Sequence, residues 1–343
     1  MITRSPADVQ SVPLDLPQER APWQRQLAGV IRDPVELCRR LDLDPAWLPG
    51  AETGHGLFEV RVPEAYLARI RPGDPSDPLL RQVLPLGEEA LEIPGYLADP
   101  LQEAEHTPAK GLIHKYAGRV LLIASPSCAI NCRYCFRRHF PYGDNAPSRA
   151  QWEASLDHLR GDTTIREAIL SGGDPLAASD RQLAWLVARL DAIPHLRRLR
   201  IHSRLPAVIP DRVDDTLLDW LSRSRLQKVL VLHINHANEI DEAVVAACER
   251  LKRAGVTLLN QSVLLRGVND SVAALATLSE RLFEAGVLPY YLHVLDPVAG
   301  AAHFDVPDTE ARKLVASLRG ELPGFLVPTL AREVPGEGSK TPL

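Results

Sequence analysis

Hydrophobic positions from residue 111 onward alternate between short apolar runs and amphipathic stretches. The apolar runs predict six strands, at residues 119–125, 168–171, 199–203, 228–235, 257–264 and 288–295. The stretches between them have helical periodicity, at residues 151–160, 181–193, 215–224, 239–254 and 272–285. Strands that alternate with helices favour a parallel sheet with right-handed crossovers. The pattern therefore predicts an α/β fold, a partial (βα)6 TIM-like barrel with its site at the carboxyl ends of the strands.

The first hundred residues have a different pattern, rich in proline and in short helical segments. Apolar residues recur at helical spacing over residues 23–43, and Asp33-Pro34 divides this segment into two helices. Residues 63–71 and 78–83 predict further short helices. No motif in this region indicates chemistry. We interpret residues 1–105 as an N-terminal helical region and residues 106–343 as the partial barrel with a C-terminal segment.

The composition argues against several classes of protein. A formal net charge of −5 disfavours a general nucleic-acid or anionic-membrane surface, and no apolar run approaches the roughly 20 residues of a membrane helix. Residues 1–6 lack the apolar region of a signal peptide. Five cysteines, an odd number, argue against a disulfide framework. We therefore expect a cytoplasmic protein with free thiols.

Three cysteines follow directly on the first predicted barrel strand, with C-x3-C-x2-C spacing. A short loop of this kind turns the thiolates of Cys128, Cys132 and Cys135 toward one point, which suits an iron–sulfur cluster. Three thiolates on four irons leave one iron open, and S-adenosylmethionine (SAM) is a molecule that chelates such an iron. Zinc is the alternative, with His139 as the fourth ligand, although the chain has no second C-x2-C pair.

Polar residues follow the later strands as well. Residues 171–175, Ser-Gly-Gly-Asp-Pro, form either a simple turn that starts a helix or a site for an ammonium group. Arg204 follows the third strand, where an arginine lies either on the surface or in a pocket. His233 and His236 are three residues apart, which puts them on opposite faces of a strand and argues against a metal pair.

The run from His114 to Tyr142, including Tyr134 just before the third cysteine, resembles the radical SAM enzymes. Within them it is most similar to the lysine 2,3-aminomutases, and in particular to the EpmB branch that serves elongation factor P. The resemblance implies a [4Fe–4S] cluster, SAM and pyridoxal 5′-phosphate (PLP) as cofactors, and conversion of (S)-α-lysine to (R)-β-lysine. It also implies an electron donor of the flavodoxin or ferredoxin type, and a separate ligase that uses the product to modify elongation factor P.

The resemblance covers residues from about 105 to 343 and assigns roles to individual positions. It makes Lys340 the lysine that bonds to PLP, in a Pro335–Thr341 segment that departs from the family's PGGGGK at Glu337 and Ser339. The remaining roles are cluster ligands (Cys128, Cys132, Cys135), SAM contacts (Tyr134, Ser171, Gly172, Gly173, Asp174), PLP contacts (Tyr116, Arg119, Gln261) and substrate contacts (Arg137 for the carboxylate, Asp296 and Glu333 for the far ammonium).

Two further readings stay open from the residues alone. Without the resemblance, Lys340 reads as part of a solvated tail, and Asp296 and Glu333 read as surface charges. An aminomutase for another amino acid, such as glutamate, is opposed by Asp296 and Glu333, because two acids repel a side-chain carboxylate. A non-catalytic iron–sulfur or zinc protein is the second of the two alternative functions.

Overall fold

The computed structural model describes residues 20–140 and 149–343, so residues 1–6 and the last residues of the run from His114 to Tyr142 lie outside it. Nine strands form one sheet in sequence order, and in the described residues its two end strands do not pair. Strands β2 to β8 are parallel, whereas β1 and β9 add antiparallel edges. The strands are β1 (Leu112–Tyr116), β2 (Arg119–Ser125), β3 (Glu167–Gly172), β4 (Arg198–Ser203), β5 (Gln227–Leu232), β6 (Val256–Val263), β7 (Leu288–His293), β8 (Thr329–Arg332) and β9 (Thr341–Pro342).

The predicted fold class is confirmed, because all the predicted barrel strands are present and parallel. The six predicted strand–helix units run from β2 to the helix Asp308–Glu321, and the short strand β8, which was not predicted, adds a seventh parallel strand after them. Two predicted strands also end early: β5 ends at Leu232 and β7 at His293, so the polar residues that follow them lie in loops.

Helices cross over between the parallel strands. They are α5 (Arg149–Gly161), α6 (Asp180–Asp191), α7 (Leu205–Val208), α8 (Asp215–Arg223), α9 (Glu242–Arg253), α10 (Val272–Glu284) and α11 (Asp308–Glu321). Ser179, Asp214, Asp241 and Ser271 each cap the helix that follows, by accepting a hydrogen bond from its first turn. None of the helices in residues 20–140 and 149–343 is long and apolar enough to cross a bilayer.

Residues 20–105, the described part of the N-terminal region, hold four short α-helices, α1 (Pro22–Ala28), α2 (Pro34–Arg40), α3 (Leu48–Leu57) and α4 (Glu64–Leu67). The break at Asp33-Pro34 is as predicted, helix α3 was not predicted, and residues 78–83 hold only a 3-10 turn, Leu80–Gln82. One hydrophobic cluster joins Trp23, Leu37 and Tyr66 of this region to Leu170 and Leu230 of the barrel strands. The division at residue 105 stays a prediction.

A buried ionic cluster ties the N-terminal region to the cysteine loop. Glu89 accepts hydrogen bonds from Nε and Nη2 of Arg133 (2.9 and 2.5 Å) and from Nη2 of Arg138 (2.6 Å). Arg133 also donates to the carbonyl oxygens of Gly54 and Phe58. All three charged side chains are buried, so the single carboxylate balances two guanidinium groups.

Glu89→Gln should lower the free energy of unfolding by about 3 to 5 kcal/mol, because it leaves two buried guanidinium groups without their counter-charge. The control is Glu153→Gln on α5, which breaks only long contacts to Arg160 and Arg189 with a side chain that is 39% exposed. That change should cost less than about 1 kcal/mol. Urea unfolding of the two variants measures both values, and equal losses would contradict the predicted role of Glu89.

Candidate active site

A cavity of about 530 Å³ opens where the parallel strands end. Every residue that the sequence assigned to the site lines it, although the individual roles stay predictions. These residues are Tyr116, Arg119, Cys128, Cys132, Tyr134, Cys135, Arg137, Ser171, Gly172, Gly173, Asp174, Gln261, Asp296, Glu333 and Lys340.

The three cysteines form one part of the cavity wall. Their loop is fixed by backbone contacts: the amide of Cys135 donates to the carbonyl of Cys132, and the amide of Arg133 donates to the carbonyl of Gln82. Burial, with the charge of the neighbouring thiols as a further cause, raises the pKa of Cys128 well above its usual value and that of Cys135 to about 11. Bound iron supplies the positive charge that makes the thiolate forms stable here.

The donor set fits a cluster better than a single ion. In the part of the chain that the structure describes, no three His, Cys, Asp or Glu side chains meet closely enough to hold one metal ion. A [4Fe–4S] cluster does not need such a meeting, because each thiolate binds a different iron. His139, the fourth ligand in the zinc reading, lies with Nε2 3.0 Å from the carbonyl oxygen of Ala299 and is not among the cavity-lining residues.

The two glycines after β3 allow close packing against the cysteine loop. Gly172 has a φ of +121°, and a Cβ atom there would lie 2.6 Å from the carbonyl oxygen of Ser125. A Cβ atom on Gly173 would lie 2.7 Å from the carbonyl oxygen of Ser127. We expected these glycines to allow a ligand to approach the backbone. In the structure they allow the backbone after β3 to pack closely against the backbone of residues 125–127.

Asp174 is buried and its carboxylate is fully engaged within the protein. It accepts hydrogen bonds from the hydroxyl of Ser203 (2.7 Å) and from the amides of Leu176 (3.0 Å), Arg204 (2.8 Å) and Leu205 (2.9 Å). Four donors fill the acceptor sites of one carboxylate. These contacts therefore support the interpretation of residues 171–175 as a turn that starts a helix. A contact between Asp174 and SAM stays a prediction.

Lys340 stands immediately before β9, which pairs with β8, and its side chain reaches into the cavity. Its Nζ lies 2.8 Å from Nε2 of His293 and 5.1 Å from the ring centroid of Tyr291. Burial lowers the pKa of Lys340 from 10.5 to about 8. The lysine is thus not part of a solvated tail.

A group of histidines beside Lys340 was not predicted from the sequence. His202 and His293 lie at the ends of β4 and β7, His233 directly follows β5, and all three line the cavity. Burial lowers the pKa of His233 to about 3. His236 accepts a hydrogen bond from the amide of Asn238 and is not among the cavity-lining residues, but His233 and His236 both lie beyond β5, so strand alternation does not explain this difference. Their position at strand ends was a signal that could have identified the three cavity histidines.

The wall near Lys340 fits a polar ring that bears a phosphate. The guanidinium of Arg119 lies 4.5 Å from the ring centroid of Tyr116, and a guanidinium is suited to bind phosphate. Oε1 of Gln261 and Nε of Arg200 are buried in the same wall with no hydrogen-bond partner among the described residues. Buried polar atoms normally have partners, so these two fit contact with a ligand.

The predicted substrate residues already pair with other side chains. Arg137 donates from Nε and Nη2 to the carboxylate of Glu103 (2.8 and 2.7 Å). Glu333 accepts from Nζ of Lys115 at 2.9 Å. Burial opposes ionisation of Glu333, but the positive charges of Lys115 and Lys340 outweigh the effect of burial, so the pKa of Glu333 is lowered. The pKa of Asp296 is raised to about 7, mainly by burial and then by the negative charge of Glu333.

Comparison with known proteins identifies the family. The profile of the Radical SAM superfamily matches residues 122–278. L-lysine 2,3-aminomutase of Escherichia coli (strain K12) is 53% identical over 94% of this chain and 95% of its own length. The Haemophilus influenzae protein of the same name is 46% identical, over 94% and 96%. The Clostridium subterminale protein of that name is 37% identical, over 94% and 77%.

The chain belongs to the L-lysine 2,3-aminomutase family. Its resemblance to that family, stated from the cysteine motif, is therefore confirmed, and the protein is an enzyme of the isomerase class. The match of residues 122–278 to the Radical SAM superfamily also implies a [4Fe–4S] cluster and SAM, which agrees with three thiols in the wall of one cavity.

Proposed function

We propose that this enzyme converts (S)-α-lysine to (R)-β-lysine with a [4Fe–4S] cluster, SAM and PLP. One observation carries the proposal: the Lys340 amine and the three cysteine thiols belong to the wall of the same cavity. When bound, the cluster with SAM supplies a carbon radical, and PLP supplies a conjugated ring that allows an amino group to migrate. The names of the relatives support lysine as the substrate.

The residues of the chain bind and orient the amino acid in this proposal. Arg137 receives the substrate carboxylate, which exchanges with the carboxylate of Glu103 on the same guanidinium. Asp296 and Glu333 hold the far ammonium by charge attraction. Lys340 carries PLP between turnovers and gives it up to the substrate amine, while His293 accepts a hydrogen bond from its Nζ.

One ion pair in the cavity keeps glutamate as an alternative substrate. Lys115 pairs with Glu333 and thereby neutralises one of the two acids. Asp296, with a pKa near 7, is then the acid that selects between an ammonium and a carboxylate at the far end. Lysine remains the better fit, since a second carboxylate beside Asp296 and Glu333 would be repelled.

Anaerobic assay tests the proposal directly. The reconstituted protein is analysed for iron, sulfide, zinc and PLP, and then incubated with SAM, dithionite and either lysine or glutamate. We expect β-lysine from the first incubation and no β-glutamate from the second. A colourless, zinc-only protein would instead support the non-catalytic reading, and β-glutamate would support the alternative substrate.

The cellular role is part of the same proposal. We infer a cytoplasmic enzyme, because a reducing compartment preserves free thiols and an exposed cluster. A flavodoxin or ferredoxin supplies the electron, and a separate ligase attaches the β-lysine product to elongation factor P. Deleting the gene should therefore remove the mass of one lysyl group from elongation factor P, and added β-lysine should restore it.

Capture of PLP by Lys340 should rise with pH through about 8 and then level off. Only the neutral amine attacks an aldehyde, and burial lowers the pKa of Lys340 to about 8, so the ammonium form predominates below that pH and the nucleophile above it. Brief exposure to PLP between about pH 6 and about pH 10, followed by borohydride and peptide mass spectrometry, gives the profile. A rate that still climbs steeply near the upper limit would contradict it.

A further inference from the structure

A buried arginine contacts one of the three cysteine sulfurs. Nη1 of Arg204 lies 2.7 Å from Sγ of Cys132, and it also donates to the hydroxyl of Tyr134 at 2.7 Å. Nη2 of the same guanidinium donates to Oε1 of Gln82 (2.7 Å) and to Oε2 of Glu239 (2.9 Å). The positive charge of Arg204 is thus adjacent to the sulfur of Cys132, and the carboxylate of Glu239, its counter-ion, contacts Nη2 on the other side of the guanidinium.

Both charged groups are held from several directions. The amide of Arg204 donates to the carboxylate of Asp174, which fixes the backbone at the end of β4. Oε1 of Glu239 accepts from the amide of Asn235 (2.9 Å) and from Nε2 of Gln82 (3.2 Å). Glu239 is fully buried and Arg204 is 5% exposed, so water screens their charges weakly.

A fixed charge at this position acts on electron transfer. Reduction adds one electron, and therefore one negative charge, to an iron–sulfur cluster, without forming or breaking a bond in the protein. A guanidinium is always positive, and charge and hydrogen bonds at the sulfurs are among the factors that set the reduction potential. A positive charge near Cys132 stabilises the reduced state, and a nearby negative charge opposes this effect.

We propose that Arg204 and Glu239 form a charge pair that sets the reduction potential of the cluster, with Arg204 raising it and Glu239 moderating the increase. The inference goes beyond the proposed reaction and rests only on its cluster. The electron comes from an external one-electron donor, of the flavodoxin class in the cell and dithionite in the assay.

The test is an EPR-monitored redox titration of the reconstituted full-length protein without SAM. In Arg204→Gln, reduction should become at least tenfold less favourable, which is a midpoint about 59 mV more negative for one electron. Glu239→Gln should shift the midpoint in the opposite direction. Arg204→Lys, which keeps the charge, should give a midpoint between those of the wild type and Arg204→Gln.

Arg200→Gln is the matched control, since Arg200 lies on β4, the strand that Arg204 directly follows, and pairs with Glu167. Arg200→Gln should change the equilibrium constant for reduction of the cluster by less than about tenfold. An unshifted Arg204→Gln, or a Glu239→Gln midpoint displaced in the same direction as that of Arg204→Gln, overturns the proposal. General damage to the fold does not produce shifts of opposite sign. A wild-type protein without an EPR-active four-iron cluster defeats the proposed function instead.

If a variant does not retain iron, the contact between Arg204 and Cys132 is tested on the wild-type protein instead. Protein labelled with ¹⁵N only in the guanidinium nitrogens of arginine is reduced and examined by pulsed EPR, so that the backbone amides of Arg133 and Arg137 in the cysteine loop give no signal. An arginine nitrogen 2.7 Å from a ligand sulfur should give a resolved ¹⁵N coupling to the cluster spin. The coupling supports the contact, and its absence overturns the proposal.

Discussion

Replacing Lys340 by alanine should abolish aminomutase turnover while the iron–sulfur cluster remains. Lys340 contacts His293 and the ring of Tyr291, so its removal leaves the cysteine loop intact. Without its amine, PLP has no covalent attachment in the resting enzyme and is not released to the substrate by exchange. We expect turnover to fall by at least about 10²-fold, to the detection limit of the assay, because PLP that is not attached to the chain is no longer held in position. Iron content, borohydride-fixed PLP and β-lysine formation measure the three parts of the prediction.

A second lysine in the cavity could also bond to PLP, so the experiment must show which of the two lysines does so. Lys115 lines the same cavity, but its amine is paired with Glu333 and with the carbonyl oxygen of Leu101. If PLP in Lys340→Ala is fixed at Lys115 and turnover persists, the assignment of Lys340 is wrong. The exposed Lys313 on α11 provides the control, because Lys313→Ala should keep both PLP and activity.

The apolar runs allowed most of the sheet to be predicted because buried parallel strands are nearly continuous in hydrophobicity. The strands that were missed are short or carry polar residues. Strand β8 has four residues and β9 has two, so their pairing depends on the neighbouring strand rather than on their own pattern. Strand β1 contains His114 and Lys115 and is held by β2. Such elements are defined by tertiary contacts, which periodicity alone does not reveal.

The candidate site could be predicted where residues follow a strand, and not where they arrive from distant segments. Glu89, Gln82 and Glu103 contact Arg133, Arg204 and Arg137 respectively, yet no local motif surrounds them, and the sequence pattern indicated no chemistry in their region. Their importance arises from pairing with Arg133, Arg137 and Arg204, all buried arginines. A buried charge requires a partner, but the sequence does not state which acid lies nearby.

The motif residues line one cavity, but the contacts of some of them differ from the contacts expected from the sequence. Gly172 and Gly173 were expected to make room for a ligand, and in the structure they make room for the carbonyl oxygens of Ser125 and Ser127. Asp174 was expected to face an ammonium group, and it binds backbone amides and a hydroxyl. Spacing identifies such positions, whereas the partner of each depends on how β2, β3 and β4 come together.

Cys132→Ala should lose the iron–sulfur cluster and all aminomutase activity. The chain offers three thiolates to four irons, and removing one leaves two, which is too few to hold the cluster. We expect iron to fall from about four atoms per chain to well below one. The apoprotein should still fix PLP at Lys340, because that contact belongs to β7 and the segment before β9. Iron and sulfide assays, together with borohydride fixation, measure both outcomes.

Cys38→Ala separates the loss of a ligand from the loss of any cysteine. Cys38 is buried in the hydrophobic core of the N-terminal region and is not among the cavity-lining residues, so its variant should keep full iron and activity. Retention of iron in Cys132→Ala would mean that another group replaces the thiolate and would contradict the assignment of Cys132 as a cluster ligand. Loss of iron with retained PLP would instead establish that the two cofactor sites, although they share one cavity, form independently.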